Sequence, residues 1–189
     1  MAGAARQPGA ADHGGKALLV AVISDTHGIL YPEIKAALAG VDHIIHAGDI
    51  GSLSVLEELR RLAPVTAVRG NCDLDGWSQS LPVVATVEVA GVRMVVGHCR
   101  DSIPGGGVGS RMDEAAPPQQ AHAVESTASA RRLLVISGHS HVASLEERDG
   151  VIFLNPGSAG PRRFGRPRTI ARVELRDGEA EAQIVIVQA

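Results

Sequence analysis

After an Ala- and Gly-rich start, the run Ala17-Leu-Leu-Val-Ala-Val-Ile23 is continuously apolar and ends at Ser24-Asp25. Apolar residues without alternation predict a strand buried on both faces, delivering polar residues at its end. The pattern recurs. Val41-Asp-His-Ile-Ile-His-Ala47 leads into Gly48-Asp49, and Val65-Thr-Ala-Val68 into Arg69-Gly-Asn71. Val92-Arg-Met-Val-Val96 leads into Gly97-His98, and Leu133-Leu-Val-Ile136 into Ser137-Gly-His139. Each of these predicted strands ends near a side chain capable of holding a metal.

Pro32-Glu-Ile-Lys-Ala-Ala-Leu-Ala39, followed by Gly40, predicts a short helix with Pro in its first turn. Leu53, Leu56, Leu59 and Leu62 recur at helical spacing; Ser54 and Glu57 form a candidate capping box, and Pro64 stops the run. The order β-α-β-α-β predicts parallel strands with right-handed crossovers, a fold in which ligands sit outside the carboxyl ends of the strands. From residue 83 the character changes. Ala90-Gly91, Asp149-Gly150 and Asp177-Gly178 separate strand-like segments and predict antiparallel hairpins. Residues 101–130, with Gly105-Gly-Gly107 and Pro117-Pro118, are expected to form a mobile loop, then a helix over 121–132. Residues 1–16 are expected to be a disordered tail, leaving 17–189 as a single domain.

Composition narrows the function. With 189 residues and 44% hydrophobic content, the chain is long enough for one packed domain and short for two. Aromatics are only 2%, so Val, Leu, Ile and Ala must fill an α/β core. The net charge of −3 argues against a nucleic-acid binder and favours a small substrate. No apolar stretch approaches the ~20 residues needed to cross a bilayer, so no membrane partner is expected. Cys72 and Cys99 are the only cysteines, which fits a reducing compartment and a cytoplasmic location. Edge strands leave room for a homodimer.

Taken singly, Asp25-Thr-His27, Gly48-Asp49 and Gly70-Asn71 are each compatible with an ordinary turn. Gly138-His-Ser-His141 is more pointed, because two imidazoles two apart on an extended segment can converge on a metal. The joint pattern decides. Successive strand ends supplying Asp, Asn or His are hard to explain as packing, and mixed carboxylate and imidazole donors suit Mn, Fe, Ni or Zn.

These residues resemble the calcineurin-like metallophosphoesterase superfamily, with its pattern of Asp-x-His, Gly-Asp, Gly-Asn-x-Asp/Glu, a lone His and Gly-His-x-His. The resemblance spans about residues 18–160. It is nearest to the small bacterial and archaeal phosphodiesterase branch, through Gly70-Asn-Cys-Asp73 and Asn155-Pro-Gly-Ser158. It implies a four-layer αββα sandwich of two mixed sheets flanked by helices. It also implies two divalent metal ions, manganese first, with Ni, Zn or Fe as alternatives. Asp25, His27 and His141 would hold one ion and Asn71, His98 and His139 the other, with Asp49 bridging. Two metals roughly 3.5–4 Å apart clamp a phosphate and generate a bridging hydroxide that attacks phosphorus. The expected activity is hydrolysis of small phosphodiesters. Asn71, Asp73 and Arg100 are the candidate catalytic residues, with Asp73 expected to orient neighbouring side chains.

The departures from the family pattern are specific. Cys72 stands where many relatives carry a His able to protonate a leaving group, which predicts a preference for activated or aryl diesters. Arg100 replaces a His that relatives often carry, and could grip a phosphate bidentately or be an ordinary solvated arginine. Cys72 and Cys99 could be thiolate ligands, although the ligand set is full without them. His46 is expected to support the site or core, and His43 to be structural; His13 and His122 lack ligand-like company. Arg162, Arg163, Arg166 and Arg168 form a basic cluster that reads as an exposed loop, with attraction for a phosphorylated substrate as the alternative. Asn155 and Ser158 are expected to build a turn near the metals.

Two other functions compete. A protein phosphatase is disfavoured, because Gly48-Asp-Ile-Gly-Ser-Leu-Ser54 lacks the second Asp and the Arg of the Gly-Asp-x-x-Asp-Arg-Gly motif. A nucleotide pyrophosphohydrolase remains open. So does a non-catalytic scaffold like the retromer subunit that resembles this branch, although here every ligand position is filled by a competent residue.

Overall fold

A computed structural model describes residues 16–103, 132–163 and 165–188. The expected β-α-β-α-β unit is present: β1 (Leu18–Ile23), α1 (Pro32–Ala37), β2 (His43–His46), α2 (Leu53–Leu62) and β3 (Val65–Ala67). The later strands are β4 (Val84–Val89), β5 (Val92–Gly97), β6 (Arg132–Ile136), β7 (Ser144–Arg148), β8 (Val151–Asn155), β9 (Arg168–Arg176) and β10 (Glu179–Val187). They form two mixed five-stranded sheets, ordered β10-β9-β1-β2-β3 and β4-β5-β6-β8-β7. In the first, β1, β2 and β3 run parallel while β9 returns antiparallel to β1. In the second, β5, β6 and β8 run parallel and β4 and β7 close the edges antiparallel.

The core explains why the inner strands read as continuous apolar runs. Val20, Val22, Ile45, Met94, Val96, Leu134, Ile136 and Leu154 fill the space between the sheets. On the other face of the first sheet, Ala21, Ile23 and Ile44 pack against Ile34 of α1 and Val55, Leu56 and Leu59 of α2. Each such large side chain contributes about 1.5–3 kcal/mol on burial. Strands covered on both faces cannot alternate in polarity, so their polar residues gather at the strand ends.

Two local expectations change. The N-cap of α2 is Ser52, whose Oγ accepts from the Val55 amide at 3.4 Å, so the predicted box starting at Ser54 does not form. Leu53 and Leu62 lie on the exposed side of α2, and Val55 takes a core position instead. The three hairpins have the left-handed pair of turn residues that type I′ turns require, with φ of 50° and 75° at Ala90-Gly91 and 52° at both Asp149 and Asp177. The tail lies outside the described residues apart from Lys16, whose Nζ is 3.1 Å from Asp42 Oδ1. The loop and helix expected over 101–132 also lie largely outside them. Of its ends, Arg100–Ser102 form a 3-10 turn and Arg132 opens β6. Among the described residues, no helix is long and apolar enough to cross a membrane.

Candidate metal centre

The turns following β1, β2, β3, β5 and β6 converge at one rim of the sandwich. Their backbones are stitched together: the Asp25 amide donates to Gly48 O at 3.0 Å and the His27 amide to Asp49 O at 3.0 Å. The Gly138 amide donates to His98 O at 2.9 Å, tying the turns after β5 and β6 together, and the His139 amide donates to Asp25 Oδ2 at 3.2 Å, which brings the two sheets to one edge. The predicted donors sit in an uncommon backbone state. Asp25, His27, Asp49, His139 and His141 all have positive φ, between 46° and 68°. The other described non-glycine residues in that region are the three hairpin positions. Left-handed backbone costs of order 1–3 kcal/mol where the turn itself does not favour it, and such strain gathers at functional sites. Gly70 is needed for contact: a Cβ there would lie 2.1 Å from the Asp49 amide nitrogen.

The first group of donors is Asp25, His27 and His141. Asp25 Oδ1 lies 3.2 Å from His141 Nε2 and 4.0 Å from His27 Nε2. The two Nε2 atoms are 3.3 Å apart, on rings stacked at 5.2 Å between centroids. Asp25 Oδ1 and His141 Nδ1 are buried without hydrogen-bond partners. Burial pushes the Asp25 carboxyl above its ordinary range, against the opposing pull of Ser24 and His141. Burial pushes His141 down, reinforced by the charges of His27 and Arg163. A buried acceptor facing two imidazole nitrogens is the surrounding that a divalent cation satisfies, so these residues fit a metal.

The second group is held by hydrogen bonds. His98 Nδ1 donates to Ala47 O at 2.8 Å, and its Nε2 lies 3.0 Å from Asn71 Oδ1 and 3.3 Å from Asp49 Oδ2. Asn71 Nδ2 in turn donates to Cys72 Sγ at 3.4 Å, which fixes the direction of the amide. Asp49 Oδ1 accepts from the Cys72 amide at 2.8 Å. Burial alone would raise the Asp49 carboxyl, but its bonds to His98 and Cys72 hold it well below the usual carboxylate range. Burial likewise opposes His98 protonation, yet Asp49 and Ala47 raise its pKa overall. His139 meets the His98 ring edge-on at 5.1 Å, while its amide donates to Asp25 Oδ2 at 3.2 Å. Donor atoms of His27, Asp49 and Cys72 lie within 4.8 Å of one another, as do those of Asp25, Asp49 and His98. Asp49 is therefore central to both groups.

Several residues occupy roles that differ from expectation. Asp73 does not orient side chains. Its buried carboxylate accepts backbone bonds from Ile50, Gly51 and Gly70 at 3.1, 2.8 and 2.9 Å, fastening the turn after β2 to the turn after β3. Arg100 has an aromatic contact that its position in the sequence did not announce. Its guanidinium lies 4.2 Å from the Phe153 ring centroid, and Phe153 alternates with Ile152 and Leu154, which point into the intersheet core. The stack therefore holds Arg100 on the far face of the second sheet. Cys99 joins His98 and His139 as a candidate donor, but burial pushes its thiol up. Its hydrogen bonding to the Asp49 carboxylate, then burial, does the same to Cys72.

The supporting residues are clearer in three dimensions. His46, fully buried, places Nε2 2.9 Å from Thr26 Oγ1, and burial lowers its pKa to about 3. It holds the residue between Asp25 and His27 as a neutral imidazole. His43 bonds Thr66 Oγ1 at 2.9 Å, away from the site. Asn155 Nδ2 donates to Gly138 O at 2.7 Å and Ser140 Oγ at 3.1 Å, bracing the turn that presents His139 and His141. Ser158 Oγ donates to Asp25 O at 3.2 Å. Arg162, Arg163 and Arg166 are exposed, as expected of a charged loop, Arg168 is buried, and all four line a cleft with His141. Their clustering in sequence was the signal that marked them.

Comparison with known proteins identifies the family and the fold. The profile described as the calcineurin-like phosphoesterase superfamily domain matches residues 18–178. A probable metallophosphoesterase of Methanothermobacter thermautotrophicus is 34% identical over 175 residues, covering 89% of this chain and 92% of that protein. The structure of vacuolar protein sorting 29 from Cryptosporidium parvum superposes with a TM-score of 0.60 at 17% identity, covering 89% of this chain and 97% of that one. A structure described as a novel archaeal phosphodiesterase gives 0.58 at 24% identity, covering 89% and 100%. With its strand-end donors and two mixed sheets, the chain belongs to the calcineurin-like phosphoesterase superfamily.

Proposed function

We propose that the chain is a dinuclear metal-dependent phosphodiesterase acting on small phosphodiesters. The observation that carries this reading is the position of Asp49, whose carboxylate lies within 4.8 Å of donors from both groups. Asp25, His27 and His141 would hold one ion, and Asn71, His98 and His139 the other, with Asp49 shared. The donor set of carboxylates, imidazoles and an amide suits manganese first, and also Ni, Zn or Fe. Two divalent ions held there supply Lewis acidity and lower the pKa of bound water.

The chain's own residues prepare the site. His98 presents Nε2 because Nδ1–H is spent on Ala47, and Asn71 presents its oxygen because its amide nitrogen is spent on Cys72. The buried carboxylates of Asp25 and Asp49 sit where little water screens their attraction for cations. Cys72, with its thiol pushed up, gives little help to a leaving group that must be protonated. Aryl diesters should therefore react faster than alkyl monoesters. Two free cysteines are compatible with a reducing compartment, and the proposed setting is the cytoplasm, with a small phosphorylated molecule as substrate.

A second reading, a non-catalytic scaffold, is favoured by one observation: the fold's likeness to vacuolar protein sorting 29. The deciding experiment is hydrolysis of bis-p-nitrophenyl phosphate against p-nitrophenyl phosphate by metal-stripped protein re-supplied with Mn, Ni, Zn or Mg. The expected outcome is metal-restored diesterase activity that falls about a thousandfold in Asp49→Ala, given the several kcal/mol that metal ions supply. Absence of turnover with every metal, despite bound ions, favours the scaffold.

A further inference from the structure

Beside the metal-binding cluster, a cleft is lined by His141, Ser158, Arg162, Arg163, Arg166 and Arg168. Two of its features go beyond a charged surface loop. The loop is anchored. Arg168 is buried, its Nε donates to Gly160 O at 3.0 Å, and its guanidinium pairs with Glu33 at 2.8 Å over the Tyr31 ring. Gly160 lies against the Asp25 turn so closely that a Cβ there would meet Asp25 O at 2.2 Å. The Arg166 amide closes a turn onto Arg163 O at 3.0 Å. The arginines therefore sit on backbone fixed to the turn that carries a candidate ligand.

The second feature is the missing counter-charge. Arg168 has Glu33, but among the described residues no carboxylate pairs with Arg162, Arg163 or Arg166. Arg163 lines the cleft together with His141, so it stands at the edge of the cluster. On a chain of net charge −3, gathering three guanidinium groups beside a carboxylate-rich site concentrates positive potential where an anionic substrate must pass. Guanidinium forks match phosphate oxygens bidentately.

We propose that Arg162, Arg163 and Arg166 form a second phosphate subsite. It receives a phosphate that is not cleaved, so the substrate class is a diester or anhydride carrying a further phosphate. This rests on the phosphodiesterase reading for its catalytic half; the anion site itself does not depend on turnover.

The test compares thymidine 3′-(p-nitrophenyl phosphate) with the same compound bearing a 5′-phosphate, using manganese-loaded protein. Both release nitrophenol and differ only in the non-scissile phosphate. The wild type should prefer the 5′-phosphorylated compound by about tenfold or more in kcat/KM, one charge-assisted contact's worth, and Arg162→Ala/Arg163→Ala/Arg166→Ala should bring the ratio near unity. A parallel measurement needs no turnover: binding of thymidine 3′,5′-bisphosphate against thymidine 3′-phosphate to metal-free protein, with the same ratio expected to collapse in the triple variant. Equal affinities in the wild type, or a ratio unchanged in the variant, overturn the proposal. If neither ester is hydrolysed but the binding ratio behaves as expected, the phosphodiesterase reading fails and the phosphate subsite stands.

Discussion

On the Asn71 side of the centre, the donor atoms are tied down by the protein. His98 is anchored by its Nδ1–H on Ala47 O, and Asp49 accepts from the Cys72 amide. On the Asp25 side, Asp25 Oδ1 and His141 Nδ1 are buried without hydrogen-bond partners, and two imidazole nitrogens face each other at 3.3 Å. One half of the site thus has its donor groups engaged by hydrogen bonds, while the other leaves a carboxylate oxygen and an imidazole nitrogen buried without them. The Asp25 side is held through its backbone, by left-handed turns at Asp25, His27 and His141, by the His139 amide on Asp25 Oδ2 and by the brace from Asn155.

Metal binding should therefore act most strongly through the Asp25 side. A carboxyl whose pKa is raised in the fold binds its proton more tightly there than in the unfolded chain. The metal-free protein should lose stability as pH rises from the ordinary Asp value of 3.8 through the raised folded one. At neutral pH, manganese at a hundred times its Kd should add about 3 kcal/mol to unfolding stability. Asp25→Asn should abolish most of that gain without weakening the metal-free protein, as measured by denaturant unfolding with and without manganese. An equal gain in both proteins would break the comparison.

The next effect isolates the framework beneath the preformed side. Asp73→Ala removes an acceptor from three backbone amides and should cost about 2 kcal/mol or more of stability, read by the same unfolding assay. Asn155→Ala loosens the turn carrying His139 and His141. It should lower diesterase kcat/KM by about tenfold and weaken manganese affinity, with little change in the fold measured by circular dichroism. The smallest effect is His46. Its pKa of about 3 in the fold lies below the ordinary 6.5, so the unfolded chain binds the extra proton first and stability falls as pH drops through that window. From pH 6.5 to about pH 5.5 the metal-free wild type should lose about 1 kcal/mol relative to His46→Gln. Parallel pH profiles for the two proteins would show that His46 is not held neutral.

Much of this was legible in the chain because it is local. Apolar runs ending in Asp25, Asp49, Asn71, His98 and His139 mark buried strands and their polar tips, and Asp149-Gly150 and Asp177-Gly178 mark hairpins. What escaped depends on contacts distant in sequence. That β9 returns beside β1 is set by a long antiparallel pairing, Leu18 opposite Leu175, that no local pattern encodes. Arg100 reads as a phosphate grip or a solvated arginine, and its contact with Phe153, far along the chain, is one that no local pattern encodes. Asp73 reads as a partner for imidazoles, whereas the turns it joins expose backbone amides that need an acceptor. The cap of α2 moved from Ser54 to Ser52 because both serines satisfy the local rule and packing of Val55 chooses between them. The arginine loop was visible as charge, but its place beside His141 depends on Gly160 packing onto the Asp25 turn.

The most direct test of the central claim is manganese titration of the metal-free protein, monitored by electron paramagnetic resonance. A bridging Asp49 predicts two ions per chain, close enough for exchange coupling, with the coupled signal lost in Asp49→Ala. One ion per chain, or two uncoupled ions indifferent to Asp49→Ala, would contradict it.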